Sequence, residues 1–263
     1  MTTTSLITGA SSGLGAAFAR RLASDGHALV LVARGKERLE RIAAELAESH
    51  GVRVEVLVAD LAEDDGIAAV EARLRDPEQP VDVLVNNAGF GNHGVFLDVP
   101  VSDELRMLKV HCEAVLRLTT AAVEGMRERR RGFVVNVASV AAFMPRGTYA
   151  ASKAWIVRFT EGLARELSGS GVRFLALCPG FVRTEFHERA GMDASRLPSW
   201  AWLDADKVVG AALRDLARGR VISVPDPRYK LAVSLARHVP PRLYAAASTR
   251  AGRDYDPRGT KGA

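Results

Sequence analysis

Short apolar runs rich in Val, Leu and Ile recur along the chain, at Ser5–Thr8, Ala28–Ala33, Val52–Val58, Val81–Asn86, Gly132–Ala138, Val172–Cys178 and Arg220–Val224. Between them lie longer segments with apolar residues three and four apart, such as Lys36–His50 and Val101–Arg130. The short runs read as strands buried on both faces, and the longer ones as helices packed against them. Seven strands alternating with at least six helices predict an α/β chain of Rossmann type, a doubly wound fold with a seven-stranded parallel sheet and helices on both faces. No internal repeat or linker breaks the pattern before Pro225. Residues 1–224 are therefore expected to form one catalytic domain, and 225–263 a C-terminal extension.

Open parallel sheets bind ligands at the carboxyl ends of their strands, so the residues that follow each run are the ones to compare. After the first comes Thr8-Gly9-Ala10-Ser11-Ser12-Gly13-Leu14-Gly15, then a helix over Ala16–Ser24. Glycines at 9, 13 and 15 permit a tight turn and let backbone N–H groups approach a pyrophosphate, with the positive helix end behind them. The second run ends V-L-V-A-R-G. An acidic residue here would accept hydrogen bonds from a ribose 2′-OH; the chain instead has Ala33 followed by Arg34. A guanidinium pairs with a 2′-phosphate that a carboxylate would repel, and Ser12 can add a hydroxyl donor. The cofactor expected is NADP(H) in preference to NAD(H), although a solvated Arg at a strand end would look the same.

Tyr149 stands four residues before Lys153 in T-Y-A-A-S-K-A-W, so the two share a helix face with little bulk between them. Alone, such a pair reads as a solvated surface contact. Here it follows T-G-x-x-x-G-x-G, N-N-A-G at Asn86–Gly89 and Ser139, and precedes Pro179-Gly180. In that order the motifs resemble the short-chain dehydrogenase/reductase family, from about Thr4 to about Val224. The resemblance implies that Tyr149 is the general acid/base between a carbonyl and a secondary alcohol. Lys153 would tune the phenol and hold the nicotinamide ribose, and Ser139 would bond the substrate oxygen. A free phenol has a pKa near ~10, so neighbouring positive charge must outweigh burial to bring it down. The resemblance also puts Gly9, Ser11, Ser12, Gly13, Leu14 and Gly15 at the phosphates, Arg34 at the ribose, and Asp60 with Leu61 at the adenine. Asn87, Ala88 and Gly89 would border the cofactor, Asn87 mainly as a tie between strands. Pro179, Gly180 and Val182 would shape a turn that presents Thr184 to the nicotinamide carboxamide.

Two features depart from the family pattern. His111 occupies the place of an asparagine that helps seat a proton-relaying water. An imidazole can take that role and add pH dependence near its usual pKa of ~6.5, or it can be a helix residue while a backbone carbonyl serves the relay; both readings stay open. The loop from Ser139 to Tyr149 is also short, so specificity does not transfer. Phe90, His93, Phe143, Met144, Phe186, Met192, Trp200 and Trp202 are the candidates to face substrate, and their apolar character suggests a lipophilic ketone or alcohol. By resemblance, the helices Val101–Arg130 and Tyr149–Ser168 form a dimer interface, so a homodimer or homotetramer is expected.

Charge changes little. The formal net charge of +5 is matched by eight Lys/Arg against three Asp after Val224. The rest is near neutral, which argues against nucleic acid as a partner. The segment from Tyr229 to Val239 reads as a basic amphipathic helix. It could meet anionic lipid, cover the pocket or pack on a subunit, with packing favoured over membrane contact. Two isolated cysteines, Cys112 and Cys178, support neither a disulfide framework nor a metal site. With no signal peptide and no membrane-length apolar run, a cytoplasmic setting is expected. Two alternatives stay open: an NAD-preferring dehydrogenase, and a non-catalytic NADP-binding sensor. The sensor's usual mark is loss of the Tyr or Lys, and both are present. A sugar-nucleotide epimerase would need a larger C-terminal domain.

Overall fold

The computed structural model describes residues 3–92, 94, 97–185 and 198–238. Its seven strands are β1 (Thr4–Thr8), β2 (Ala28–Ala33), β3 (Val54–Val58), β4 (Val83–Asn86), β5 (Gly132–Val137), β6 (Val172–Leu177) and β7 (Ile222–Ser223). They form one sheet in the order β3-β2-β1-β4-β5-β6-β7, with every pairing parallel. The doubly wound sheet read from the apolar pattern is the observed one. Strand order reverses between β1 and β4, and ligands of this architecture bind in the crevice that opens there.

Alternation along each strand supplies the two cores. Ile7, Leu29, Leu31, Val85, Val135 and Leu175 pack beneath α1 (Gly13–Ser24), α2 (Lys36–His50) and the later helix Ala205–Ala217. Their neighbours Leu6, Val30, Leu84, Val134 and Phe174 meet α3 (Asp64–Leu74) and the helix Val115–Glu128 on the opposite face. Each fully buried Val, Leu or Ile side chain contributes about 1.5–3 kcal/mol, so register errors that reverse the faces are strongly disfavoured.

The apolar segment Val101–Arg130 is not one continuous helix. It runs as α4 (Val101–Leu108), a π-helical turn (Lys109–Ala114) and α5 (Val115–Glu128). Such turns insert one residue and concentrate at functional sites; this one carries His111, which is fully buried. Beyond it come α6 (Gly147–Glu166), α7 (Ala205–Ala217) and α8 (Pro227–His238). Five strands are shorter than their apolar runs, β2 matches its run, and β1 begins one residue earlier, at Thr4. Arg53 O accepts from Leu29 N–H, and Asp82 N–H donates to Thr4 O while Asp82 O accepts from Phe133 N–H, each 2.9 Å, but neither residue joins a ladder. The edge strand β7 pairs only through Ile222 and Ser223.

A buried polar rung crosses the sheet just below the crevice. Asn86 Nδ2 donates to Thr119 Oγ1 on α5 (3.0 Å) and to Asn136 Oδ1 on β5 (2.9 Å). Asn136 Nδ2 donates in turn to Thr160 Oγ1 on α6 (3.0 Å). Inside the sheet an unmade polar bond is costly, so the rung fixes α5, β4, β5 and α6 relative to one another. Among the described residues no helix is long and apolar enough to cross a membrane.

Candidate active site

The glycine loop leaves β1 through Gly9 and Gly13, both with positive φ (64° and 56°). Helix α1 begins at Gly13, three residues before the Ala16 start read from the sequence, with Ser12 as its extended N-cap. Gly15 sits against the loop so closely that a Cβ there would lie 2.2 Å from Gly9 O. Asn87 ties β4 to this loop: its N–H donates to Thr8 Oγ1 (2.9 Å), and its Nδ2 donates to Thr8 O (2.9 Å) and Gly9 O (3.3 Å). Ala88 N–H also donates to Thr8 Oγ1 (3.0 Å). Thr184 packs on the loop from the far side, since a Cβ on Gly13 would meet Thr184 Cγ2 at 3.1 Å.

Arg34 is largely exposed at the end of β2, with Nη1 3.8 Å from Asp60 Oδ2. The same oxygen accepts from Arg106 Nη2 (3.1 Å), while Asp60 Oδ1 accepts from Ala62 N–H (3.0 Å). Leu61 beside it is buried. The residues expected at the adenine end thus come to one place, with two guanidinium groups on the Asp60 carboxylate.

At the end of β5, Ser139 caps a 3-10 turn (Val140–Phe143), its Oγ accepting from Ala141 N–H (3.1 Å). That hydroxyl also hydrogen-bonds the phenol of the half-buried Tyr149. Lys153 Nζ lies 5.7 Å from the Tyr149 ring centroid and donates to Val137 O (3.1 Å). Burial pushes Tyr149 up to about 12, although the Ser139 bond opposes the rise. Burial also brings Lys153 down to about 8. The sequence reading required charge to outweigh burial at the phenol; among this chain's own groups burial prevails, and the phenol holds its proton at pH 7.

His111 completes the group from the π-helical turn. Phe90 N–H donates to Nε2 (3.3 Å). The ring proton therefore sits on Nδ1, which donates to Ser152 Oγ (2.9 Å), and Ser152 donates to Tyr149 O (2.7 Å). Burial and the nearby Lys153 charge hold His111 well below its ordinary 6.5, so the imidazole is neutral through the physiological range. The titration near 6.5 allowed by the sequence reading is absent. The His111 ring meets Tyr149 edge-on at 5.7 Å.

A family pattern described as short chain dehydrogenase matches residues 3–194. The chain belongs to the short-chain dehydrogenase/reductase family. It is 39% identical over 189 residues to oxidoreductase UcpA of Escherichia coli, covering 70% of this chain and 71% of the relative. It is 35% identical over 188 residues to the very-long-chain 3-oxoacyl-CoA reductase of Anas platyrhynchos, covering 68% of this chain but 60% of that protein. Among solved structures, the short-chain dehydrogenase of Sphingobium yanoikuyae in complex with NADPH superposes with a TM-score of 0.82 at 38% identity, covering 99% of this chain and 98% of that one. The bulky-bulky ketone specific alcohol dehydrogenase of Comamonas testosteroni gives 0.78 at 32% identity, covering 99% and 97%. As a member of this family the protein is an oxidoreductase of CH–OH or C=O groups that uses a nicotinamide dinucleotide.

The chain's residues fit that cofactor. The loop that Gly15 packs against, at the N-terminus of α1, has the form that can cradle a phosphate. Gly89 lets its backbone pass close to the site, where a Cβ would clash with His111 Nε2 at 2.7 Å and meet Lys153 Nζ at 3.5 Å. Some contributors escaped the sequence reading. Arg38, Arg41 and Arg183 join Ser11, Ser12 and Thr184 around a cavity of about 420 Å³ beside the phosphate loop. Arg38 holds Glu185 there in a bidentate ion pair. Its position four residues after Arg34, in the first turn of α2, was the available signal. Thr8 opened the glycine motif itself, whereas Ser152, three residues after Tyr149, had no signal.

The substrate-facing set is scattered. Phe143 and Met144 line a cavity of about 360 Å³ with Pro145, Ala154, Val157 and Arg158, away from the Tyr149–Lys153 flank of α6. Phe90 lies beside His111, with ring centroids 6.2 Å apart. Trp202 packs edge-on to Phe181 (6.1 Å), whereas Trp200 is exposed. His93, Phe186 and Met192 lie outside the described residues.

Proposed function

We propose that the protein is an NADP(H)-dependent oxidoreductase interconverting a carbonyl and a secondary alcohol on a lipophilic small molecule, with Tyr149 as the general acid/base. The observation that carries this reading is the contact between the Tyr149 phenol and the Ser139 hydroxyl beside the buried Lys153. The bound nicotinamide would supply or accept the hydride. Tyr149, neutral at pH 7, gives its proton to the substrate oxygen during reduction and takes it back during oxidation. Ser139 Oγ, fixed by Ala141 N–H, holds that oxygen toward the phenol. Lys153 is anchored on Val137 O and places positive charge where a phenolate would form. His111 uses both ring nitrogens on protein partners, which favours a role in seating Tyr149 and Phe90 over one as a water-mediated relay.

The preference for NADP(H) rests on Arg34 in place of an acid, with Arg38 close to Ser11 and Ser12. NADPH in the Sphingobium yanoikuyae relative agrees with it. The ketone specificity named for the Comamonas testosteroni relative supports a bulky apolar substrate. Val101, Leu105 and Leu116 leave apolar side chains exposed on the α4–α5 face, consistent with the proposed homodimer or homotetramer. A cytoplasmic setting completes the reading. The test is oxidation of NADPH and of NADH against a panel of bulky ketones. Turnover of panel members with NADPH in preference to NADH supports the proposal. Tight NADPH binding with no turnover across the panel would favour a sensor.

A further inference from the structure

Helix α8 packs on the wall of the site. Val233 is buried among Val140, Ile156, Val157 and Val224. One turn earlier, the Tyr229 ring lies flat on the Pro179-Gly180 turn, and a Cβ on Gly180 would fall 2.2 Å from Tyr229 Cζ. The Tyr229 hydroxyl donates to Ala201 O (2.7 Å) and accepts from Phe181 N–H (3.3 Å). Burial raises the Tyr229 pKa, so the hydroxyl keeps the proton it donates. Phe181 and Ala201 belong to two stems, one leaving β6 and one entering α7. The stems meet through Leu203 N–H to Phe181 O (2.7 Å) and Arg183 N–H to Leu203 O (3.1 Å). The first stem leads directly to Thr184, which packs on the phosphate loop.

We infer that Tyr229 is a positioning residue: its hydroxyl staples the two stems together, and so sets the turn that carries Thr184 against cofactor and substrate. Only glycine at 180 admits the ring, and only a phenol bonds both stems at once, so the two residues act as a matched pair 49 positions apart. The functional part of this inference rests on the nicotinamide reading above; the staple itself does not.

The test compares Tyr229→Phe with Val233→Ala by amide hydrogen exchange at Phe181, and by NADPH affinity and ketone kinetics. Phenylalanine keeps the ring and removes the two hydrogen bonds. Loss of bonds of ordinary strength predicts roughly five- to tenfold faster exchange at Phe181. The NADPH Kd and ketone KM should rise by similar factors, with kcat within about twofold because Ser139, Tyr149 and Lys153 stand on other elements. Val233→Ala should lower the melting temperature and leave exchange at Phe181, Kd and KM unchanged. Unchanged exchange in Tyr229→Phe overturns the staple. Faster exchange with Kd and KM unmoved, or equal changes in Val233→Ala, overturns the positioning role. A wild-type protein that binds no NADPH defeats the nicotinamide reading instead, while the exchange comparison still decides the staple.

Discussion

Lys153→Met should inactivate the enzyme and stabilise the protein. The lysine is only 5% exposed and donates to one carbonyl, Val137 O. Among its described neighbours, Tyr149 is held near 12, burial raises the Cys112 thiol, and His111 is neutral, so none of these three offers a negative charge at pH 7. The fall in its pKa from 10.5 to about 8 corresponds to about 3 kcal/mol acting against the folded, protonated state. Methionine removes that cost but leaves Val137 O without its partner, which offsets about 1 kcal/mol. The net gain is about 2 kcal/mol at pH 7, or a melting temperature higher by roughly 4–8 °C for a chain of this size. The sign of the pH dependence follows from linkage. Between about pH 8 and 10.5 the unfolded lysine holds a proton that the folded one has released, so wild-type stability rises with pH there relative to the variant. Thermal unfolding of both proteins at pH 7 and near pH 10 is the assay. The gap should be open at pH 7 and closed near pH 10. A variant less stable than wild type at pH 7, or a gap that pH does not move, would refute the reasoning.

Other substitutions probe the remaining parts. Arg34→Ala should weaken NADPH roughly tenfold or more while leaving NADH nearly unchanged, as loss of one charge-assisted pair to a 2′-phosphate requires; fluorescence titration with both nucleotides measures it. Gly15→Ala puts a methyl 2.2 Å from Gly9 O. It should cost about 1–3 kcal/mol in stability and abolish nucleotide binding, as seen by calorimetry. The depressed pKa of His111 means the unfolded state takes up more protons as pH falls below 6.5, so stability is lost there with acid. Urea unfolding from pH 7 to 5 should show that loss in wild type and a shallower one in His111→Asn, with no His111-dependent limb in the activity profile between pH 6 and 8.

Much of this architecture was legible in the sequence because it is local. Each strand is a short run of Val, Leu and Ile, and the glycine loop adjoins both the strand and the helix that give it meaning. Tyr149 and Lys153 are neighbours by helix geometry alone. The features that escaped depend on burial or on distant contacts. The π-helical turn at Lys109–Ala114 disturbs no apolar period, yet it sends His111 inward to Phe90 and Ser152. The direction of the Tyr149 pKa turned on how deeply α6 buries the phenol, which no spacing reveals. Tyr229 looked like one residue of a basic tail helix, and its partners lie 28 and 48 residues away. Arg38 could be seen beside Arg34, but its bond to Glu185 spans 147 residues.

The central claim is that the Tyr149 phenol passes the proton. It is tested most directly by single-turnover reduction of a ketone substrate by NADPH in wild type and Tyr149→Phe, with nucleotide affinity measured on both. The account predicts unchanged NADPH binding and a chemical step slowed roughly 10²–10⁴-fold, the usual contribution of a positioned general acid. A Tyr149→Phe protein that reduces the ketone at the wild-type rate would contradict it.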